Sequence, residues 1–314
     1  MPKYQVERSI VIDAPKEKIL ESLKNYEEWR VWSPWLIMEK DAEVTYSDNQ
    51  GELHSTNAWS GTLLGSGNME LTGIDINRLE MKLQLLQPFK SKSDVFFDVE
   101  EQGKSSKVTW TMKSSVPFFL FFMVKQIKAF VAMDYERGLR MFKEYMEKGE
   151  VSSSLSIDGI VPLEAKKYVG IRHTSSFEEL GEVMKKDFDT LYAFIQEHNI
   201  ELKTPPFSIY NTFDMTKKES EFICCIPYSG NAPLPEGFEK GLFETREALR
   251  VTHVGKYEHL GNAWSTAFTY VRTKKMKTTT APVGMEFYLN SPYEVEAKAL
   301  VTEVYLPLHK KAKV

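Results

Sequence analysis

The sequence predicts an α+β chain in two parts: antiparallel strands closed by one long helix, then a tandem-repeat α+β unit. Three observations point there. The chain has 314 residues, about twice an ordinary domain. A small, polar stretch at 149–160 (GEVSSSLSIDGI) separates a long helical pattern from fresh strand-like sequence. The segments HTSSFEELG (173–181) and HVGKYEHLG (253–261) repeat one another 80 residues apart.

The first part opens with a strand over 5–12, where Val6, Ser9 and Val11 alternate imperfectly. Asp13 and Pro15 read as a helix start, the acid as cap and the proline in the first turn. Trp29, Trp32 and Trp35 follow at threefold spacing. Short strands separated by turn signals run to about Met112. A helix over 117–148 then carries Met123, Ile127, Phe130, Met141 and Tyr145 on one face and has to lie across the sheet. Asp134 shares that face, as a polar group in a cavity or as one reaching solvent at the helix edge.

Composition narrows the function classes. With 42% hydrophobic and 27% charged residues the chain can build cores, which excludes disorder. Net charge is −4, and the basic run Lys310-Lys311-Ala312-Lys313 is short enough to be a solvated end, so no direct nucleic-acid partner is expected. The start MPKYQVERSI has no apolar signal core. The run VPFFLFFMV (116–124) is too short to span a bilayer; it is expected to be a buried helix start, with contact to a membrane surface as the alternative. Cys224 and Cys225 are adjacent and point to opposite strand faces, so they do not pair, and a reducing, cytoplasmic setting is expected. The six histidines are scattered, so no metal and no cofactor is expected.

The segments VERSIVIDAPKEKIL, WRVWSPW, WSGTLLGSGNMEL and MDYERGLRMFKEYME resemble the polyketide cyclase/dehydrase branch of the START-like (SRPBCC) superfamily, over residues 3–148. The resemblance implies a helix-grip fold with an apolar cavity for a lipid-like or aromatic molecule. Trp32 and Trp59 are candidate contacts to it, or core and rim packing. The domain is assigned to residues 1–151.

The second part, 152–314, holds two copies at about 167–228 and 247–309. Each reads strand, helix, strand, strand, with the helices on one face of the sheet and the other face open as a groove. Val183, Met184, Phe188, Leu191, Tyr192 and Ile195 form one apolar stripe; Trp264, Phe268 and Val271 form the other. In VTEVYLPL (301–308), alternation puts Val304, Leu306 and Leu308 toward the helices and Glu303 and Tyr305 on the opposite face. At the 80-residue offset the first copy has Ile223 and Cys225, so this acid belongs to one copy only.

GKYEHLGNAW, MEFYLNSP and TEVYLPL resemble the GyrI-like small-molecule-binding domain, also used as the effector domain of bacterial multidrug-responsive activators. The resemblance implies a lipophilic, cationic or aromatic ligand, with Glu303 as its polar contact; a helix-turn-helix, the usual partner of this domain, is not seen. Tyr305, Trp264, Tyr288 and Phe287 complete the expected ligand set. The alternatives at Glu303 are an internal pair with Lys, Arg or a hydroxyl, or a hydrolase in which Glu303, Tyr305 and Tyr288 act on a reactive small molecule. The expected function is a small-molecule binder that senses or sequesters its ligand, leaning away from an enzyme.

Overall fold

Alternating burial along the first strand sets the first sheet. In β1 (Lys3–Ile12) Val6 and Ile12 turn inward while Lys3, Gln5 and Glu7 face solvent, more regularly than the sequence suggested. The structure, a computed structural model, describes residues 2–202, 204–215 and 217–309; the basic run at 310–313 lies outside the described residues. The chain divides into two compact units, Met1–Ser152 and Ser153–Val314.

In the first unit α1 (Lys16–Lys24) and α2 (Trp29–Trp32) follow β1. Asp13 does not cap α1: Pro15 holds the cap position without a side-chain hydrogen bond, and Asp13 accepts from the Ser105 hydroxyl at 2.7 Å. Six further strands are β2 (Glu43–Tyr46), β3 (Thr56–Gly61), β4 (Gly65–Ile74), β5 (Arg78–Gln87), β6 (Ser91–Gln102) and β7 (Ser105–Ser115). The antiparallel sheet has the order β1-β7-β6-β5-β4-β3-β2. The long helix α3 (Val124–Lys148) crosses it against β1.

The interior under α3 is filled with rings. Trp110 stacks on Tyr135 with centroids 4.0 Å apart, and Trp32 packs between Trp29 and Phe142 at 4.7 Å from each. Asp134 sits at the helix edge, accepting from Trp35 Nε1 at 3.1 Å and from Arg137 at 2.6 Å.

The start of the helical region departs from expectation. Residues Phe118–Met123 form a 3-10 turn, and Phe118, Phe119, Phe121 and Phe122 are 75%, 71%, 59% and 68% exposed. Hydropathy places phenylalanines inside, but among the described residues of this unit no other element covers these four.

The second unit runs β8 (Ser153–Leu163), β9 (Lys166–Ser176), α4 (Leu180–Glu197), β10 (Phe207–Asp214), β11 (Glu219–Pro227), β12 (Phe238–Phe243), β13 (Arg246–Gly255), α5 (Gly261–Thr273), β14 (Gly284–Tyr288) and β15 (Val301–Pro307). Its eight-stranded sheet has the order β12-β9-β11-β10-β14-β15-β13-β8. The two copies, β9-α4-β10-β11 and β13-α5-β14-β15, meet at the antiparallel β10–β14 pair. The leading strands are exchanged: β8 precedes the first copy yet pairs with β13, and β12 precedes the second yet pairs with β9.

Both helices pack on one face. Val169, Phe222 and Cys224 meet α4, and Leu249, Val251, Val304 and Leu306 meet α5. The opposite face is not the open groove expected. Phe207, Met285, Phe287 and Tyr305 form a second core with Leu163 and Tyr168, sealed enough that Phe207 has no exposed surface. Val161 and Phe243, from the two edge strands, pack against it.

Candidate functional site

Helix placement creates the site. Helix α4 packs over β9 and β11 and α5 over β13 and β15, which leaves the central pair β10–β14 as a floor between them. Alternation in MEFYLN turns Met285 and Phe287 to the far core and Glu286 and Tyr288 to this floor. Glu286 is 4% exposed. Its Oε1 accepts from Trp264 Nε1 of α5 at 2.6 Å. Its Oε2 accepts from the Tyr210 hydroxyl of β10 at 2.8 Å and from the Tyr288 hydroxyl at 2.6 Å. Ser208 Oγ lies 3.0 Å from the same Tyr288 oxygen.

Burial pushes the Glu286 carboxyl above its ordinary range, and the three donors pull part of the way back. The same burial, with Glu286 alongside, pushes the Tyr210 and Tyr288 phenols well up, so both stay protonated as donors. All three partners of the acid are neutral, and among the described residues no lysine, arginine or histidine pairs with it.

Aromatic rings surround this point. Tyr288 meets Phe188 of α4 edge-on at 5.4 Å and Tyr257 at 5.9 Å. Trp264 meets Tyr210 at 5.2 Å and stacks near Phe268 at 5.8 Å. Gly284 makes the seat for Trp264: a Cβ there would fall 2.5 Å from the indole. The three donors point at the acid along their ring edges, and the further rings pack behind them.

Residues 159–309 match the family model for the GyrI-like small molecule binding domain, and residues 3–147 match the one for polyketide cyclase/dehydrase and lipid transport. The two matches fall one in each compact unit. Among solved structures, the EcmrR C-terminal domain is 14% identical, covering 51% of this chain and 99% of that one at a TM-score of 0.40. An EcmrR–DNA complex is 15% identical over 60% of this chain and 69% of that one, TM-score 0.42. TTHA0849 from Thermus thermophilus is 16% identical over 46% of this chain and 97% of that one, TM-score 0.35. Below 0.5 these scores add no weight to a functional reading. A comparison with curated proteins returned no match.

The second unit splits the ligand set expected from sequence. Trp264 and Tyr288 lie on the helix side with Glu286; Glu303, Tyr305 and Phe287 lie on the other side of the sheet. The five do not form one groove, because neighbouring strand residues such as Phe287 and Tyr288 point to opposite faces. Both oxygens of Glu303 are engaged: Oε1 lies 3.2 Å from Arg250 Nη1, and Oε2 accepts from the Tyr305 hydroxyl at 2.7 Å. Arg250 also holds Asp158 at 2.9 Å. This is the internal pair that stood as the alternative for Glu303.

In the cyclase-type domain Trp32 has no exposed surface and is a core ring. Trp59 is half-buried and faces Gly67 across the β3–β4 pair, where a Cβ would fall 2.6 Å from its ring. The glycine lets the indole lie on the strand, a packing role.

Sequence reading passed over Glu286 and Tyr210. A signal was present: FSIY (207–210) aligns with MEFY (285–288), which makes Ser208 the counterpart of Glu286 and Tyr210 that of Tyr288. The acid of one copy stands where the other has a serine.

No helix among the described residues is long and apolar enough to cross a membrane.

Proposed function

We propose that the GyrI-like domain binds a cationic, planar small molecule between α4 and α5, with Glu286 as its counter-charge, and that the protein senses or sequesters such compounds in the cytoplasm. The observation that carries this is the buried carboxylate held only by neutral donors. Burying an acid without a cation is costly, and an arriving cation relieves that cost. The rings of Trp264, Tyr288 and Phe188 add cation–π attraction of roughly 0.5–2 kcal/mol. Glu303 plays no part in this reading, since Arg250 and Tyr305 already occupy it.

The test is a fluorescence titration of the whole chain with cationic planar dyes and their neutral isosteres. Saturable binding of the cations, lost in Glu286→Gln and kept in Glu303→Gln, is the expected result. Equal affinity for charged and neutral members would sink it.

Hydrolysis of a reactive small molecule is a second reading, favoured by the 2.6 Å contact of Glu286 with the Tyr288 hydroxyl. A carboxyl raised by burial is a better base toward water, and the phenol beside it is a proton donor. Consumption of an epoxide or cyclopropane at a rate equal to that of Glu286→Gln would remove it.

A further inference from the structure

The exposed phenylalanines of the cyclase-type domain sit in a particular charge setting. Phe118 and Phe121 lie 6.0 Å apart, and Phe121 and Phe122 6.1 Å, so the rings form one patch. Strand register brings other residues to the same end of the sheet. Lys3 pairs with Ser115, the last residue of β7, and the Ser114 hydroxyl bonds to the Lys92 carbonyl at the start of β6. The turn between β5 and β6 therefore lies at this end, with Phe89 81% exposed at its tip. Lys3, Lys90, Lys92, Lys125 and Lys128 are all exposed around it. The segments beside the phenylalanines, 2–6, 81–93 and 113–133, contain no aspartate or glutamate, although the whole chain carries −4. The acids at this end of the sheet, Glu39 and Glu43, lie by the β3–β4 turn and β2.

We propose that this end of the domain docks on the surface of an anionic lipid bilayer. Phenylalanines at the tip enter the boundary between headgroups and acyl chains, and the lysines meet the lipid phosphates. Both signals are present together, as stable anchoring at a membrane surface requires. The charge argues against a second copy of this chain as the cover. Patch against patch would set five lysines against five lysines with no acid between them. Nothing in the docking involves Glu286, so the surface stands or falls apart from the ligand reading.

The experiment is co-sedimentation of the whole chain with vesicles of phosphatidylcholine alone or with one quarter phosphatidylglycerol. Binding to the anionic vesicles at low salt is expected, falling roughly tenfold or more on neutral vesicles or at high salt. Phe118→Ser, Phe119→Ser, Phe121→Ser and Phe122→Ser combined, and separately Lys125→Glu with Lys128→Glu, should each lose binding without lowering the melting temperature. In a second measurement Phe119→Cys carries an environment-sensitive dye, the native Cys224 and Cys225 being fully buried. A blue shift on anionic vesicles is expected. No sedimentation of the native chain, no shift, or binding unchanged in the serine variant overturns the proposal. So does a dimer that only the serine variant dissolves.

Discussion

The Tyr210 hydroxyl reaches across the seam between the two copies and donates to Glu286 at 2.8 Å. By strand register the counterpart of Tyr210 is Tyr288, whose hydroxyl lies 3.0 Å from Ser208, the counterpart of Glu286. The two contacts are equivalent across the seam, and an acid at the position where the other copy has a serine turns a symmetric seam into a charged floor. The predictions start there.

Glu286→Gln should trade binding for stability. The affinity for a cationic dye is expected to fall roughly tenfold or more, about 1.4 kcal/mol. The folded carboxyl is raised by burial, so its contribution is intact below the ordinary carboxylate range and is lost as pH rises through the raised value. The neutral variant avoids that loss. Its melting temperature should exceed the native one at pH 8 and approach it at pH 4, read by circular dichroism.

Gly284→Ala should damage the site without touching the acid. The new methyl would fall 2.5 Å from the Trp264 indole and 2.9 Å from the Tyr305 carbonyl. Overpacking of this kind costs about 1–3 kcal/mol, and the displaced indole no longer donates to Glu286. Urea unfolding measures the first effect and dye titration the second.

Arg250→Met should expose what Glu303 is for. It removes the cation that Asp158 and Glu303 share and leaves two carboxylates without it. The groups are partly solvated, so a loss of about 1–2 kcal/mol is expected rather than the full cost of a buried pair. Adding Glu303→Gln should recover part of it in urea titrations, while dye affinity stays at the native value throughout.

His253 should make the GyrI-like domain acid-sensitive. Burial, with His259 nearby, pulls it down to about 4 from an ordinary 6.5. The fold keeps the ring neutral while the unfolded chain takes up a proton. Stability is then complete above about 6.5 and declines as pH falls toward 4, by on the order of 3 kcal/mol. His253→Gln should flatten that slope in stability measured at pH 7, 5.5 and 4.

The architecture was legible because it rests on periodicity. The repeat of HTSSFEELG and the split of Val304 and Leu306 from Glu303 and Tyr305 hold in the structure. Of the stripe assigned to the long helix, Met141 is buried but Phe130 is exposed, because the covered face runs through Tyr135, Leu139, Phe142 and Met146. The site was less legible because it depends on partners remote in sequence. That Arg250 reaches Glu303 follows from the β13–β15 register, which no local pattern encodes. Likewise Trp264 owes its place to Gly284, and no spacing rule links the two. Glu286 was readable by alternation from MEFYLN, but its meaning came only with Tyr210 and Trp264 around it. The phenylalanines at 118–122 show the limit of hydropathy: it ranks residues for burial but supplies no surface to bury them against.

The exchange of β8 and β12 between the copies has a consequence for how the GyrI-like domain can be taken apart. A single protease cut in the connection at 228–237 would yield two pieces, and each would still hold the strand that finishes the other's outer edge. The halves would clasp one another like an obligate pair expressed as separate chains, with Tyr210 supplied by one and Glu286 by the other. A floor built this way exists only when both halves are present, so the duplicated unit cannot be shortened to one copy and keep its acid in place.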